Sequence, residues 1–240
     1  MHSLLLLADS ALPLGSFAYS SGLESYLQHH KSRQTVASFD RFLRLSISSM
    51  ASTSLIYMLA AYRYPENLEL LDNDLDASTP CVVAQRASTA QGRALLGVWE
   101  RSFRRAYSSN NNSAAIKALE DFSDSLKSSI GSSSVELGPK GHFAPLWGVV
   151  SLAMGIGIQQ VAYVFMLNHV KALLSAAVRA SVMGPYQAQS VLASRDLQEI
   201  IAQRIDQEWH TDVDSAGQVA PVIDLWIGRH ELLYSRIFNS

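Results

Sequence analysis

From Gly141 to Val170, thirty consecutive residues carry no Asp, Glu, Lys or Arg. A stretch of that length without charge either crosses a bilayer or is buried inside protein. Gly155-Ile156-Gly157 cuts it into two pieces of ordinary helix length, and Gln159-Gln160 would set amides near a bilayer centre. No cluster of Lys or Arg lies on one flank to fix an orientation. The run therefore reads as two buried helices of an all-α core, with a small membrane protein as the alternative. The second helix is expected to continue through Lys171 to about Met183, where Gly184-Pro185 breaks it. Leu4 to Leu7 is too short for a signal-peptide core, has no basic residue before it and is soon followed by Asp9. The expected location is cytoplasmic.

The rest of the chain repeats its apolar residues at helical spacing. Phe39, Phe42, Leu43, Ile47 and Met50 share one face, Asp40, Arg41, Arg44 and Ser48 another, with Thr35 as N-cap. That helix runs to Pro65, and a short acidic one follows from Glu66 to about Asp76. A third begins near Pro80 on the stripe Val83, Ala87, Ala90, Ala94, Val98, sets Arg86, Arg93 and Glu100 seven apart on another face, and stops at Arg104-Arg105. Residues 106–113 form a Ser/Asn-rich loop expected to be mobile. Ile116, Leu119, Phe122 and Leu126 mark another helix, with a loop from Gly131 to Gly141. A last long helix on Leu197, Ile201 and Ile205 ends near Trp209, before a polar loop to Pro221 and a tail with a helical turn or more. No segment alternates with period two. At 240 residues this predicts one all-α domain, 1–240, of about eight to ten helices.

Several chemistries are excluded by composition. A net charge of −2 leaves no basic excess for nucleic acid. A single cysteine, Cys81, supports neither a disulfide framework nor a Cys-rich zinc site. There is no phosphate-binding G-x-x-x-x-G-K-[ST] loop and no G-x-S-x-G elbow. The charged share is only 17%, well below the usual quarter or so, as in a subunit that buries surface against partners. His29 and His30 are adjacent and diverge on a helix, whereas His210-x-Asp212-x-Asp214 has a chelating spacing that a solvated turn also explains. His142 sits at a helix start, where its imidazole could cap backbone amides. Arg179, in the apolar stretch Leu173 to Ala180, needs a carboxylate or carbonyl partner or else faces an interface.

The segment from Asp9 to Ser25 is the most specific. Pro13 and Gly15 bend it, and Ser16, Ser20 or Ser21 can cap a helix carrying Glu24. Its order Asp9-Ser10, Pro13, Gly15, Phe17, Ser20, Gly22-Leu23-Glu24 resembles the signature of the urease accessory protein family UreF. Further matches follow in the same order: Gln85-Arg86-Ala87-Ser88 with Gln91-Gly92-Arg93, Gly141-His142-Phe143, Ser175-Ala176-Ala177-Val178-Arg179, and Tyr234-Ser235-Arg236-Ile237-Phe238-Asn239-Ser240. The tail and the Ser/Asn-rich loop give the resemblance a eukaryotic, fungal cast. Ser16 replaces a common glycine, and Gly184-Pro185-Tyr186-Gln187 replaces a Pro-Leu-Gly-Gln segment. Because the signature starts at Asp9, any N-terminal extension that relatives carry is expected to be missing here.

The resemblance implies a non-enzymatic chaperone with no cofactor of its own. Members are all-α dimers that bind UreD (UreH), recruit and regulate the GTPase UreG, and help deliver nickel to apo-urease. It implies partner-binding roles for Tyr19, Ser20, Glu24, Arg86, Arg93, His142, Arg179, Tyr234, Arg236 and Phe238. Tyr19 and Glu24 are expected beside the cap without being buried, facing the GTPase or serving the cap itself. The tail from about 222 to 240 either folds back or docks on UreD, and docking is the favoured reading. A helical metal-binding protein or metalloenzyme acting directly on nickel is the alternative.

Overall fold

The computed structural model describes residues 1–29, 36–108, 112–129 and 138–239. Eleven helices and no strand occur among them. They are α1 His2–Ala8, α2 Leu23–His29, α3 Val36–Arg63, α4 Leu68–Ser78, α5 82–107, α6 Ser113–Ser129, α7 Phe143–Ala153, α8 Ile158–Arg179, α9 Pro185–Ala193, α10 Arg195–Glu208 and α11 Pro221–Arg229. The all-α single domain expected from the sequence is found. The count exceeds eight to ten because α1, α9 and α11 are short elements that periodicity did not isolate.

The uncharged run becomes α7 and the start of α8. Gly155, at φ 72°, closes α7: its N–H donates to the Leu152 carbonyl at 2.9 Å and the Ile156 N–H to Ser151 at 3.2 Å. This left-handed closure satisfies carbonyls that the helix would leave orphaned. α7 lies at the centre, against α3, α5 and α6. Its backbone approaches closely because two glycines offer no side chain. A Cβ on Gly148 would stand 2.4 Å from the Met58 carbonyl oxygen, and one on Gly92 2.1 Å from that of Gly141. The rings of Phe143 and Phe165 stack, and that of Trp147 packs tilted against both.

Two stretches, α3 and α8, are long and apolar enough to cross a membrane, with mean hydropathies of 1.2 and 1.5. Their apolar windows are 61% and 56% buried within the protein, as core helices are. Of the two, only α8 begins within the uncharged Gly141–Val170 run. In α3 a π-turn at Ala51–Leu55 breaks the regular ladder. There Thr53 Oγ1 donates to the Ser49 carbonyl at 2.7 Å, and the Ser52 carbonyl accepts from Gly217 N–H at 3.0 Å.

Some expected boundaries move. α8 stops at Arg179 rather than Met183, because Ser181 at φ 59° takes the left-handed place and Val182 N–H donates back to Ala177 at 2.9 Å. α5 runs past Arg104-Arg105 through a π-turn at Trp99–Phe103, and Arg104 pairs with Glu120 of α6. Ala106, Tyr107 and Ser113, assigned to the Ser/Asn-rich loop, are therefore helical. Residues 109–111, the cap Thr35, His30 and most of the loop from Gly131 lie outside the described residues.

Candidate functional site

Glu24 opens α2, one turn after Ser20, whose Oγ accepts the Glu24 N–H at 3.3 Å. Ser20 is thus the serine that caps the helix start, while Ser16 donates to Gln91 Oε1 at 2.8 Å. The Glu24 side chain is not beside the core but in it, 4% exposed, which corrects the expectation of an unburied group. A buried carboxylate needs donors, and the far end of the chain supplies them. Oε1 accepts from Ile237 N–H at 2.7 Å; Oε2 accepts from Phe238 N–H at 3.1 Å and from His230 Nε2 at 2.9 Å. His230 is fully buried, and its Nδ1 has no hydrogen-bond partner.

The rest of the tail follows this anchor. Asn239 N–H donates to the Ala18 carbonyl at 2.8 Å, and the buried Phe238 ring lies 4.3 Å under the Arg179 guanidinium. Arg179 also donates to the Phe17 carbonyl, and partial burial pulls its pKa below the ordinary value. Its partner is a carbonyl and a ring, not a carboxylate. Arg86 of α5 pairs with Glu231 in the turn after α11, and Trp226 of α11 packs edge-on to Tyr26 of α2 at 4.6 Å. The tail is thus held by its own domain: of the two readings offered, fold-back is the one seen. Tyr234, at 106% exposure, and the exposed Leu232, Arg236 and Ile237 face outward, as does Phe17.

Of the residues singled out in the sequence, Ser20, Glu24, Arg179 and Phe238 meet in this latch, and Arg86 reaches it through Glu231. Tyr19 turns away, half-buried, into a cavity of about 190 Å³. Arg93 and His142 meet elsewhere. Arg93 Nε donates to the Lys140 carbonyl at 2.7 Å, and His142 is fully buried. His142 does not cap amides with its ring. The N–H groups leading into α7 are held by Asp72, which accepts those of Lys140, Gly141 and His142 at 2.6, 3.0 and 2.5 Å, while Ser88 Oγ accepts the Phe143 N–H at 3.2 Å. The buried Ser20, Glu24, His142 and Phe238 organise surfaces rather than present side chains on them. Sequence reasoning missed His230 and Asp72, since nothing local marks a histidine 206 positions from its carboxylate.

His210, Asp212 and Asp214 do not converge, and no group of three His, Cys, Asp or Glu side chains suited to a metal ion occurs among the described residues. His29 Nδ1 donates to the Ser25 carbonyl at 2.7 Å.

A UreF family profile matches residues 34–195. This chain belongs to the UreF family. The match leaves out both the signature segment and the tail, but full-length relatives include them. A urease accessory protein UreF-like chain of Schizosaccharomyces pombe is 36% identical over 239 residues, covering 100% of this chain and 97% of that one. Urease accessory protein F of Arabidopsis thaliana is 31% identical, with 98% and 90% covered. Urease accessory protein 6 of Cryptococcus neoformans is 25% identical, with 100% and 97% covered. Similarity to UreF proteins therefore extends over both halves of the latch.

Proposed function

We propose that this chain is a urease accessory subunit, a non-catalytic chaperone that joins UreD (UreH) and the GTPase UreG to load nickel into apo-urease. On this reading nickel is cargo of the assembly, the protein works in the cytoplasm as a homodimer, and it regulates the GTPase. The observation that carries the reading is the latch. The signature helix start and the C-terminal tail, both of which resemble the UreF pattern, are joined through Glu24. That junction fixes an outer face of Phe17, Leu232, Tyr234, Arg236 and Ile237. Aromatic, aliphatic and Arg side chains exposed together are the composition of interface hot spots. A soluble subunit with 17% charged residues has reason to keep such a face covered.

The test is co-purification with UreD and UreG homologues, followed by gel filtration and urease activation in cells lacking the native gene. Full-length protein should form the ternary complex and restore urease. A chain without Tyr234 to Ser240 should stay helical but lose UreD binding and maturation. Wild-type protein that binds neither homologue would overturn the reading, and nickel bound stoichiometrically by the isolated chain would favour the direct metal carrier.

A further inference from the structure

A second constellation lies away from the latch. Asp76 near the end of α4, His142 at the start of α7 and Ser88 of α5 form one hydrogen-bonded row. His142 Nε2 stands 2.9 Å from Asp76 Oδ1, and Nδ1 3.0 Å from Ser88 Oγ. The ring is fully buried, and a carboxylate only accepts. Nε2 therefore donates to Asp76, and in the neutral tautomer a lone pair is left at Nδ1. Ser88 Oγ already accepts the Phe143 N–H at 3.2 Å, so its own proton is free to point at Nδ1. A hydroxyl donating to an imidazole oriented by a carboxylate is the arrangement that activates a serine nucleophile.

Ser88 also has somewhere for a reagent to sit. It lines the 190 Å³ cavity with Tyr19, Phe143, Phe165 and His169, and no Lys or Arg is among the lining residues. His169 accepts or donates to Ser46 Oγ at 2.9 Å, and burial pushes its pKa down to about 4, which leaves it uncharged at neutral pH. A cavity with hydroxyls, two phenyl rings and no cation suits a small uncharged molecule over a phosphorylated one.

We infer that Ser88 is a reactive serine that takes an acyl group from a small uncharged carboxylic ester entering this cavity. Oγ forms a bond to the carbonyl carbon as its proton passes to His142 Nδ1, and Asp76 steadies the resulting imidazolium. The carbon–oxygen bond to the leaving alkoxide then breaks, and that alkoxide takes the proton back from Nδ1. The product is one acyl-serine per chain. The inference is a single acylation, a modification site and not a hydrolase.

The full-length protein is mixed with p-nitrophenyl acetate, nitrophenolate release is followed by absorbance, and the adduct is placed by peptide mass mapping. A burst near one equivalent with acetyl on Ser88 is expected, and mapping the wild-type chain requires no variant to fold. Asp76→Asn, which removes the fixed tautomer, should slow the burst at least about tenfold, by the usual worth of an oriented base. Ala87→Leu, which fills the cavity without touching the row, should slow it too while Asp76–His142–Ser88 stays intact. Acetyl found only on lysines or scattered serines would overturn the inference. An unchanged Ser88 rate in folded Asp76→Asn protein would do so as well.

Discussion

Replacing Glu24 by Ala should release the tail before it unfolds the protein. Two donors to the carboxylate belong to tail backbone, Ile237 N–H and Phe238 N–H, and each bond to a charged group is worth about 1.5–3 kcal/mol. Burying the Phe238 ring adds about 2–3 kcal/mol and its cation contact about 1 kcal/mol. Against these stands the ordering of the residues from Tyr234 to Asn239, at about 1 kcal/mol or more apiece. With the carboxylate the balance favours docking by a few kcal/mol; without it the ring and the cation contact do not cover the entropy. What remains is His230, fully buried with its Nε2 partner lost, a global cost of about 1–3 kcal/mol. For a chain of this size that lowers Tm by about 2–12 °C. Hydrogen exchange should show the Ile237 and Phe238 amides protected in the wild type and exchanging freely in Glu24→Ala, with α8 protected in both. Glu24→Gln, which keeps one acceptor oxygen, should fall between them. Protected Ile237 and Phe238 amides in the alanine variant would refute the carboxylate as anchor.

Other perturbations follow from the packing. Gly92→Ala places a methyl 2.1 Å from the Gly141 carbonyl oxygen and should prevent α5 and α7 from closing, with loss of soluble protein or a collapsed melting transition. Gly97→Ala on the same helix meets nothing within 4 Å and should stabilise by up to about 1 kcal/mol, so the pair separates contact from helix propensity. His169 has its folded pKa depressed from 6.5 to about 4 by burial. The unfolded chain then binds the extra proton first, so stability is complete above about pH 6.5 and falls by about 3 kcal/mol as pH drops to 4. Urea melts of His169→Gln should lose that part of the acid sensitivity; an identical pH profile would contradict it. Arg179→Met keeps the stem but loses the Phe17 carbonyl bond and the contact with Phe238, and should speed exchange at Phe238 about tenfold, the equivalent of about 1.4 kcal/mol.

Helix existence was legible because α3, α6 and α10 each keep an apolar stripe at three- and four-residue spacing, and that pattern alone requires a helix with one face inside. The split of the uncharged run was legible in Gly155, the residue suited to a left-handed closure. The end of α8 was not, since Ser181 occupies the corresponding place and serine carries no such signal. Site residues were legible as members of a motif and illegible as partners. The pattern around Glu24 marked a special helix start, yet whether its carboxylate faces water or core depends on residues 230–238, which local sequence cannot bring near. Asp72 looked like one more acid in an acidic helix, and only the fold sets it under the start of α7.

The chemistry of the latch separates holding the tail from what the tail displays. Glu24 grips residues 237 and 238 by their main-chain N–H groups, Asn239 adds a main-chain bond to Ala18, and the side chains that hold the tail are His230, Glu231 and Phe238. Any residue but proline could occupy position 237 without disturbing its bond to Glu24. The composition of Tyr234, Arg236 and Ile237 is therefore not explained by anchoring: aromatic, cationic and β-branched side chains lie on the exposed side of a segment whose attachment uses none of them. Exposed apolar groups cost solubility and gain nothing for the isolated fold. Substitutions there, such as Tyr234→Ser with Ile237→Ser, should leave the melting temperature and the Phe238 amide protection unchanged while weakening capture of the UreD homologue. If the same pair lowers the melting temperature as much as Glu24→Ala does, those side chains serve the fold and the separation fails.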